Sequence, residues 1–226
     1  MRRKYIFVLC PPYQGSTLIV NLLNSSKNVS TLLDCNTWAG EAQWLYKRHG
    51  DKKYFDNRWN PNYELNMKLV ENILNRYLDS SKSIWVEKSP SHICRAKKFQ
   101  EYFSKLGDVY FIVSIRNPYS WNGREYKNKW LTFAEYQKYN IENLDNVIQI
   151  SYEECCNNLG EVIKKITEKI PELGKIYNNR HRLRRSERCQ FIHKKKVNRI
   201  IDKKLKNADL KKNVELVHYF GYNIIE

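Results

Sequence analysis

The sequence lacks the features that mark membrane-spanning, zinc-binding and disulfide-stabilised proteins. No apolar run approaches the roughly 20 residues that cross a bilayer. The six cysteines form no CxxC pair and are too sparse for a disulfide scaffold. The apolar part of the opening segment MRRKYIFVLC is too short for a signal-peptide core and has no small-residue cleavage site. These absences favour a cytoplasmic protein with reduced thiols.

Acidic residues are scarce. The chain of 226 residues has 24 Asp and Glu against 40 Lys and Arg, a formal net charge of +16. Such a surface attracts anions, whether nucleotide, nucleic acid, acidic polysaccharide or membrane surface. The length fits one domain over residues 1–226, with a helical, basic C-terminal part from about residue 172. The basic runs at 180–185 and 193–196 either bind an anion or form a solvated face.

No internal repeat is present, and short apolar runs alternate with amphipathic segments. Strands are predicted at 5–9, 83–86, 109–115 and 147–150. Helices are predicted from residue 16 and at 38–48, 62–78, 91–106, 132–143, 153–170 with Ser151 as cap, and 214–222 with a glycine stop; residues 119–130 are expected to be at least partly helical. This alternation predicts an α/β fold, a central parallel sheet flanked by helices. Ligands of such sheets bind at the carboxyl ends of the strands.

The first predicted strand runs directly into a turn suited to anions. Two prolines end the strand, Gly15 permits a tight turn, and Ser16 and Thr17 stand at the start of a helix. Free N–H groups and the positive end of the helix dipole favour phosphate or sulfate there. The turn is not a Walker A loop, because Cys10 and Ser16 occupy the positions of its first glycine and its lysine. The alternative is an ordinary strand-to-helix turn with a Ser/Thr cap.

The other strand ends also carry polar residues. The second ends in Glu87-Lys88, the third in Arg116 and the fourth in Tyr152-Glu153. A single basic residue at a strand end is usually a solvated surface residue. Several of them converging on one rim, beside the Gly15 turn, indicate a site for a polyanionic ligand.

These motifs, taken together over residues 5 to about 170, resemble the sulfotransferases that use 3′-phosphoadenosine 5′-phosphosulfate (PAPS), a family with a P-loop NTPase-like fold. The resemblance is closest to the carbohydrate and tyrosyl-protein type. The family's phosphosulfate loop, Pro-(Lys/Arg)-Ser-Gly-Thr-Thr-Leu, is matched by 12–18; its Glu-Lys-(Thr/Ser)-Pro, Arg-(Asp/Asn)-Pro and Tyr-Glu-(Asp/Glu) motifs are matched by 87–90, 116–118 and 152–154. The resemblance implies that the cofactor is bound by Tyr13, Gln14, Gly15, Ser16, Thr17, Leu18 and Arg116.

The chain departs from the family pattern at two positions. Tyr13 stands where the family has a lysine or arginine that contacts the phosphosulfate. Arg124 stands where a serine is expected eight residues after Arg116, with Ser120 nearby. Arg124 either clamps the 3′-phosphate bidentately or is a solvated charge. The family often closes the nucleotide with a basic segment after the fourth motif, which implies that Arg184 or Arg185 reaches the 3′-phosphate.

Sulfuryl transfer requires alignment of donor and acceptor and stabilisation of charge on the transferred and bridging oxygens. Lys88 is the candidate that stabilises the leaving group. Glu41 lies where carbohydrate and tyrosyl-protein sulfotransferases place a catalytic glutamate, and is the candidate base; a dipole-favoured glutamate in a first helical turn is the alternative. His92 is the rival base, or a capping or surface histidine. No metal is expected, since basic residues and backbone amides stabilise the charge.

The expected activity is transfer of sulfate from PAPS to a hydroxyl or amine, with adenosine 3′,5′-bisphosphate as the product. The acceptor is a carbohydrate, a tyrosyl peptide or a small molecule. A nucleotide or metabolite kinase is one alternative, which the absent Walker lysine disfavours, and a non-enzymatic basic nucleic-acid-binding protein is the other. The tryptophans at positions 38, 44, 59, 121 and 130 are expected to pack in the core rather than stack on a sugar; the alternative is that aromatic residues near Glu41 line an acceptor cleft.

Overall fold

A computed structural model describes residues 2–34, 40–126, 128–177, 200 and 203–226. These residues form a parallel sheet of five strands in the order β2-β3-β1-β4-β5. The strands are β1 (Lys4–Leu9), β2 (Val29–Thr31), β3 (Ile84–Glu87), β4 (Asp108–Ile115) and β5 (Val147–Ser151). The predicted α/β fold class is confirmed.

Helices flank the sheet. They are α1 (Ser16–Leu23), α2 (Gln43–Arg48), α3 (Tyr54–Asn57), α4 (Met67–Tyr77), α5 (Ala96–Phe103), α6 (Trp130–Asn143), α7 (Tyr152–Asn157), α8 (Leu159–Lys169), α9 (Lys203–Leu210) and α10 (Val214–Tyr219). Within the described residues, none of these is both long and apolar enough to cross a membrane.

The core lies on both faces of the sheet. Along β1, Tyr5, Phe7 and Leu9 face one cluster of buried side chains, and Ile6 and Val8 face another. The first cluster includes residues of α4, α5 and α6, and the second includes residues of α1 and α8. All six residues of β1 are buried. Burial on both faces explains why β1 reads as a continuous apolar run without alternation.

The short strand β2 was missed by the sequence prediction. It has three residues, pairs only with β3 and lies at the edge of the sheet. Three residues are too few to display a period of two, so no pattern marks them as a strand.

Two predicted helices have different limits in the structure. The helix expected at 62–78 begins at Met67, since the Asn66 side chain accepts a hydrogen bond from Leu69 N. The helix expected at 153–170 is divided into α7 and α8 at Asn158. Ser151 does cap α7, in a capping box with Glu154.

Two other predicted helical segments are shorter and less regular than expected. Residues 91–106 form a 3₁₀ turn at Pro90–Cys94 followed by the shorter α5. Residues 119–130 contain only a 3₁₀ turn at Arg124–Tyr126 before α6 begins. Here the Trp121 indole donates to Pro12 O at 2.9 Å, so tertiary contact with the first loop sets the path of the chain. Of the helix predicted at 38–48, α2 covers 43–48, and residues 35–39 lie outside the described part.

The register aligns the strand ends at one edge. Phe7 of β1 pairs with Glu87 of β3 on one side and with Phe111 of β4 on the other. The chain leaves β1 between these two neighbours, so the loop after Leu9 lies at the point where the strand order reverses. Such a switch point is where open α/β sheets bind their ligands.

Candidate active site

The loop between β1 and α1 contains two residues with a positive φ angle. Gly15 has φ 99°, a left-handed conformation that favours glycine. A Cβ at this position would lie 2.4 Å from Cδ2 of Tyr152, so the loop packs directly on that ring. Tyr13 also has a positive φ, 61°, and its side chain is 45% exposed. The Gly15 turn therefore serves close packing as well as reversal of the chain.

Below the loop, buried side chains connect it to the sheet. Gln14 is fully buried, and its Oε1 accepts a hydrogen bond from Arg116 N at 3.0 Å, so this side chain ties the loop to the end of β4. Leu18 packs against the second core cluster. Burial raises the pKa of the Cys10 thiol to about 12, so it remains protonated at neutral pH.

Ser16 and Thr17 lie in the first turn of α1, as predicted. Leu18 N bonds to Gly15 O at 2.9 Å, and the first N–H groups of a helix have no intrahelical partner. The first turn contains no acidic residue. This end of the helix is electrostatically suited to an anion.

Lys88 and Glu41 form a buried ion pair beside the loop. The Lys88 ammonium lies 2.9 Å from Glu41 Oε1 and donates to Thr17 Oγ1 at 3.4 Å. The two side chains are 2% and 10% exposed. Lys88 follows β3, and Glu41 lies just before α2. The fold thus brings together two candidate residues separated by 47 positions in the chain.

The second oxygen of Glu41 accepts two further hydrogen bonds. Gln43 Nε2 donates to Oε2 at 2.5 Å and the Trp44 indole N–H at 3.1 Å. Gln43 is buried, whereas Trp44 is 42% exposed. With Lys88 on the other oxygen, the carboxylate has a fixed orientation and its charge is compensated by donors.

The direction of the hydrogen bonds behind Gln43 follows from the chemistry of Glu41. A carboxylate only accepts, so Gln43 presents its NH₂ to Glu41 and its Oε1 to Ser91 Oγ, at 2.9 Å. The single Ser91 proton is then used, and Ser91 accepts from the Tyr54 hydroxyl at 2.5 Å. Burial raises the pKa of Tyr54, which keeps the phenol protonated as this chain requires.

His92, the rival base, is enclosed by protein groups. Its Nδ1 lies 2.8 Å from Glu87 Oε2, and its Nε2 lies 2.9 Å from the Tyr46 hydroxyl. His92 is 1% exposed and Glu87 is 2% exposed. Glu87 Oε1 also accepts hydrogen bonds from Ser89 Oγ and Ala42 N. Both ring nitrogens of His92 thus face protein groups, and Glu87 and His92 support the segment that carries Glu41.

At the end of β4, Arg116 is held by two neighbouring groups. Its Nε donates to Ser120 Oγ at 3.0 Å, and its guanidinium lies 4.1 Å from the centre of the Tyr152 ring. Burial raises the pKa of Tyr152 to about 12, so a neutral ring faces the cation. Glu153 accepts hydrogen bonds from Ser120 Oγ and from the Tyr222 hydroxyl. The third and fourth motifs are therefore joined to each other and to the C-terminal segment.

Arg124 lies beside the loop. Its guanidinium is 5.0 Å from the centre of the Tyr13 ring, and the Tyr13 hydroxyl donates to Glu125 Oε1 at 3.3 Å. Arg124 is exposed and has a positive φ of 47°. Arg184 and Arg185 lie outside the described residues.

A cleft of about 450 Å³ joins the loop to the ion pair. It is lined by Pro12, Tyr13, Gly15, Ser16, Thr17, Glu41, Gln43, Trp44, Arg58, Trp59, Lys88, Pro90, Glu125 and Tyr126. His92 is not among these residues, which favours Glu41 as the group that meets a ligand. Trp121 and Trp130 are buried in the core as expected, whereas Trp44 is 42% exposed and lines the cleft, which is the alternative for aromatic residues near Glu41; Trp38 lies outside the described residues.

Two solved structures have this architecture. One is the sulfotransferase domain from the curacin biosynthetic pathway, with a TM-score of 0.52 and 15% identity over 99% of both chains. The other is the sulfotransferase domain from the Synechococcus PCC 7002 olefin synthase, with a TM-score of 0.51 and 14% identity over 99% of this chain and 96% of that one. The chain has the sulfotransferase fold. No family model matches the sequence, and no curated protein does.

The sulfotransferase fold explains why the predicted strand-end residues meet, and it also brings in residues that the sequence motifs did not indicate. Gln43, Trp44 and Arg58 line the same cleft. None of them follows a strand or belongs to one of the four motifs. The two-residue spacing between Glu41 and Gln43 carries no distinctive motif, so only the folded chain identifies the pair.

Proposed function

We propose that the protein transfers a sulfuryl group from PAPS to a hydroxyl or amine acceptor and releases adenosine 3′,5′-bisphosphate. The observation that carries the proposal is the Lys88–Glu41 pair, buried in one cleft with the Gly15–Thr17 turn. A cation beside an anion-binding turn suits a phosphosulfate, and an adjacent carboxylate suits an acceptor that must lose a proton. The sulfotransferase fold supports the same reading.

The residues fit a sulfated nucleotide. The cleft side of the turn offers donors, namely the helix-start amides, the hydroxyls of Ser16 and Thr17, and the Lys88 ammonium. The turn itself contains no carboxylate, and the Glu41 carboxylate is paired with Lys88. Gly15 leaves the backbone open to close approach because it has no side chain.

In the proposed reaction, Glu41 accepts the proton of the acceptor hydroxyl or amine as that atom forms a bond to sulfur. PAPS, when bound, supplies the sulfuryl group and a phosphate as leaving group. Lys88 stabilises the negative charge that gathers on the bridging oxygen when the old S–O bond breaks. The amides at Ser16 and Thr17 orient the oxygens, and Trp44 and Gln43 hold Glu41 in position.

The 3′-phosphate would be held on the other side of the loop. Arg116, oriented by Ser120 and Tyr152, is the first candidate for this contact. Arg124, next to Tyr13, is the second, and Arg184 and Arg185 are further candidates from the basic C-terminal part.

Binding of the nucleotide is the first test. Adenosine 3′,5′-bisphosphate at 100 times its Kd should stabilise the protein by about 2.7 kcal/mol, which a thermal shift detects. ATP with Mg²⁺ is the matched comparison. Transfer is then measured with ³⁵S-labelled PAPS against a panel of phenols, amines, saccharides and tyrosyl peptides.

The alternatives give different results in the same assays. Stabilisation by ATP with Mg²⁺, and none by the bisphosphate, would indicate a kinase and overturn the proposal. Ser16 at the Walker lysine position speaks against that result. Binding of oligonucleotides alone, with a steep dependence on salt, would indicate a nucleic-acid-binding protein.

A further inference from the structure

The cleft extends beyond the loop and the ion pair to a second set of side chains. We call Trp44, Arg58, Trp59 and Tyr126 the aromatic wall; all four line the cleft. They come from α2, from the segment after α3, and from the 3₁₀ turn before α6. None of them belongs to the turn proposed to bind the nucleotide.

Trp44 is fixed next to the proposed base. Its indole N–H donates to Glu41 Oε2 at 3.1 Å, and its ring packs on Phe55 with centroids 4.7 Å apart. The ring is nevertheless 42% exposed, and it lines the cleft. The indole is therefore a cleft-lining surface next to the carboxylate that would take the acceptor proton. A flat ring makes the most contact with such a surface.

Arg58 carries a positive charge into the same cleft. Its Nη2 donates to the Tyr126 hydroxyl at 2.8 Å, and its guanidinium lies 5.3 Å from the centre of the Phe55 ring. Within the described residues, no carboxylate lies within 4.0 Å of it. A guanidinium has five N–H donors and pairs well with a carboxylate.

The other charges that line the cleft are already engaged. Lys88 is paired with Glu41, and Glu125 accepts a hydrogen bond from the hydroxyl of Tyr13, whose ring lies next to the Arg124 guanidinium. Arg58 therefore remains as the cleft-lining cation, in the described part of the chain, without a carboxylate partner.

Side chains of the aromatic wall pack on one another and on α6. The Trp59 ring packs on Tyr126 and on Phe133 of α6, with centroids 5.6 Å and 5.2 Å apart. Arg58 is bound to the same tyrosine. A preformed site of this kind loses little conformational entropy on binding.

We propose that the aromatic wall is the acceptor site, and that it selects hydroxyl acceptors that carry a flat ring and a carboxylate. The ring lies on Trp44, its hydroxyl faces Glu41, and the carboxylate pairs with Arg58. This assignment rests on the proposed sulfuryl transfer.

The test uses two probes that differ only in charge, 4-hydroxyphenylacetate and 4-hydroxyphenylacetamide. Each is titrated by calorimetry into the full-length protein saturated with adenosine 3′,5′-bisphosphate. The acid should bind about tenfold more tightly than the amide, as expected for a hydrogen-bonded charge pair. Arg58→Met should abolish that preference, and Arg58→Lys should retain part of it. Trp44→Leu should weaken both probes by the same factor, roughly fivefold.

Arg76→Met is the matched control, because Arg76 is exposed on α4 and does not line the cleft. It removes the same charge and should leave the preference unchanged. Melting temperatures show whether each variant is folded. If Arg58→Met does not fold, the partial loss of preference in Arg58→Lys is the test. Equal binding of the two probes, binding of neither, or a preference that survives Arg58→Met would overturn the proposal.

The nucleotide separates this proposal from the proposed function. If the bisphosphate stabilises the protein and the probes fail, the acceptor assignment is wrong and sulfuryl transfer stands. If the bisphosphate does not bind, the proposed function is wrong. Titration of the two probes without nucleotide then tests, by the same criteria, whether the aromatic wall binds a ring with a carboxylate.

Discussion

The Lys88 ammonium lies 2.9 Å from a Glu41 carboxylate oxygen and 3.4 Å from the Thr17 hydroxyl, at the start of α1. One cation thus contacts both the proposed base and the proposed phosphosulfate turn. Lys88 therefore links the proposed acceptor side of the cleft to the proposed nucleotide side.

Replacing Lys88 should affect transfer and stability separately. Lys88→Met removes the proposed stabilisation of the leaving group, and kcat should fall about 100- to 1,000-fold in the ³⁵S assay. It also leaves the buried Glu41 charge without its cation, which typically costs about 3–5 kcal/mol. Chemical denaturation measures that loss.

The double variant Glu41→Gln/Lys88→Met is the control for this effect. With both charges gone, stability should recover while transfer stays low. Near-normal turnover in Lys88→Met would remove Lys88 from the mechanism.

Gln43 should act as a positioning residue. Gln43→Leu removes a hydrogen bond to the charged Glu41, so kcat should fall about tenfold while KM for PAPS stays within twofold. Tyr54→Phe, which breaks the far end of the same chain of hydrogen bonds, should lower kcat by a smaller factor. If KM rises as much as kcat falls in Gln43→Leu, the residue affects binding of the nucleotide instead.

Gly15→Ala tests the packing of the loop. The new methyl group would lie 2.4 Å from the Tyr152 ring, and alanine is strained at φ 99°. We expect a loss of about 1–3 kcal/mol in the free energy of unfolding and weaker binding of the bisphosphate. Adding Tyr152→Ala should relieve the clash but not the strain, so recovery should be partial; full recovery would contradict a requirement for the left-handed conformation.

Tyr13→Lys should raise the rate of transfer. Tyr13 is 45% exposed at the loop and carries no charge, so a lysine there adds a cation beside the proposed phosphosulfate without disturbing the core. An increase of about tenfold in kcat/KM is expected, the effect of one charged hydrogen bond. Tyr13→Phe is the comparison, and it should stay close to the parent protein. Equal rates for the lysine and phenylalanine variants would mean that Lys88 and the backbone amides suffice.

Tyr222 should make the free energy of unfolding decrease as the pH rises in the alkaline range. Burial, and then the Glu153 carboxylate, hold the pKa of Tyr222 above its usual value of 10.0. The folded state therefore keeps a proton that the unfolded state loses, so this contribution is complete below pH 10 and declines as pH rises above it. Denaturation between pH 8.5 and 11 should give a shallower decline for Tyr222→Phe than for the parent protein. Parallel curves would contradict this linkage.

Local sequence signals were sufficient for the four strands that carry the site and for the loop. The strands that carry the site are apolar runs bounded by polar residues, and they appear where expected. The position of Gly15 and the start of α1 at Ser16 follow from turn chemistry. These features depend on residues adjacent in the chain, which is why a single sequence contains them.

The errors occur where distant contacts decide the local path. Residues 119–130 have helix-compatible composition, yet Trp121 bonds to Pro12 O and Tyr119 accepts a hydrogen bond from Ile225 N. Such contacts outweigh a weak propensity for helix. The edge strand β2 is the opposite case, because pairing with β3 creates a strand that its own three residues do not indicate.

The sequence by itself determined the α/β class, the Gly15 turn before α1 and the set of strand ends that bear Lys88, Arg116 and Tyr152, because each of these depends on short-range periodicity and turn residues. Only the tertiary structure decided that Lys88 pairs with Glu41, that Gln43 orients that carboxylate, and that Trp44 and Arg58 face the same cleft. These residues come from segments that meet only when parallel strands align their carboxyl ends, and no local pattern records which distant side chains that alignment brings together.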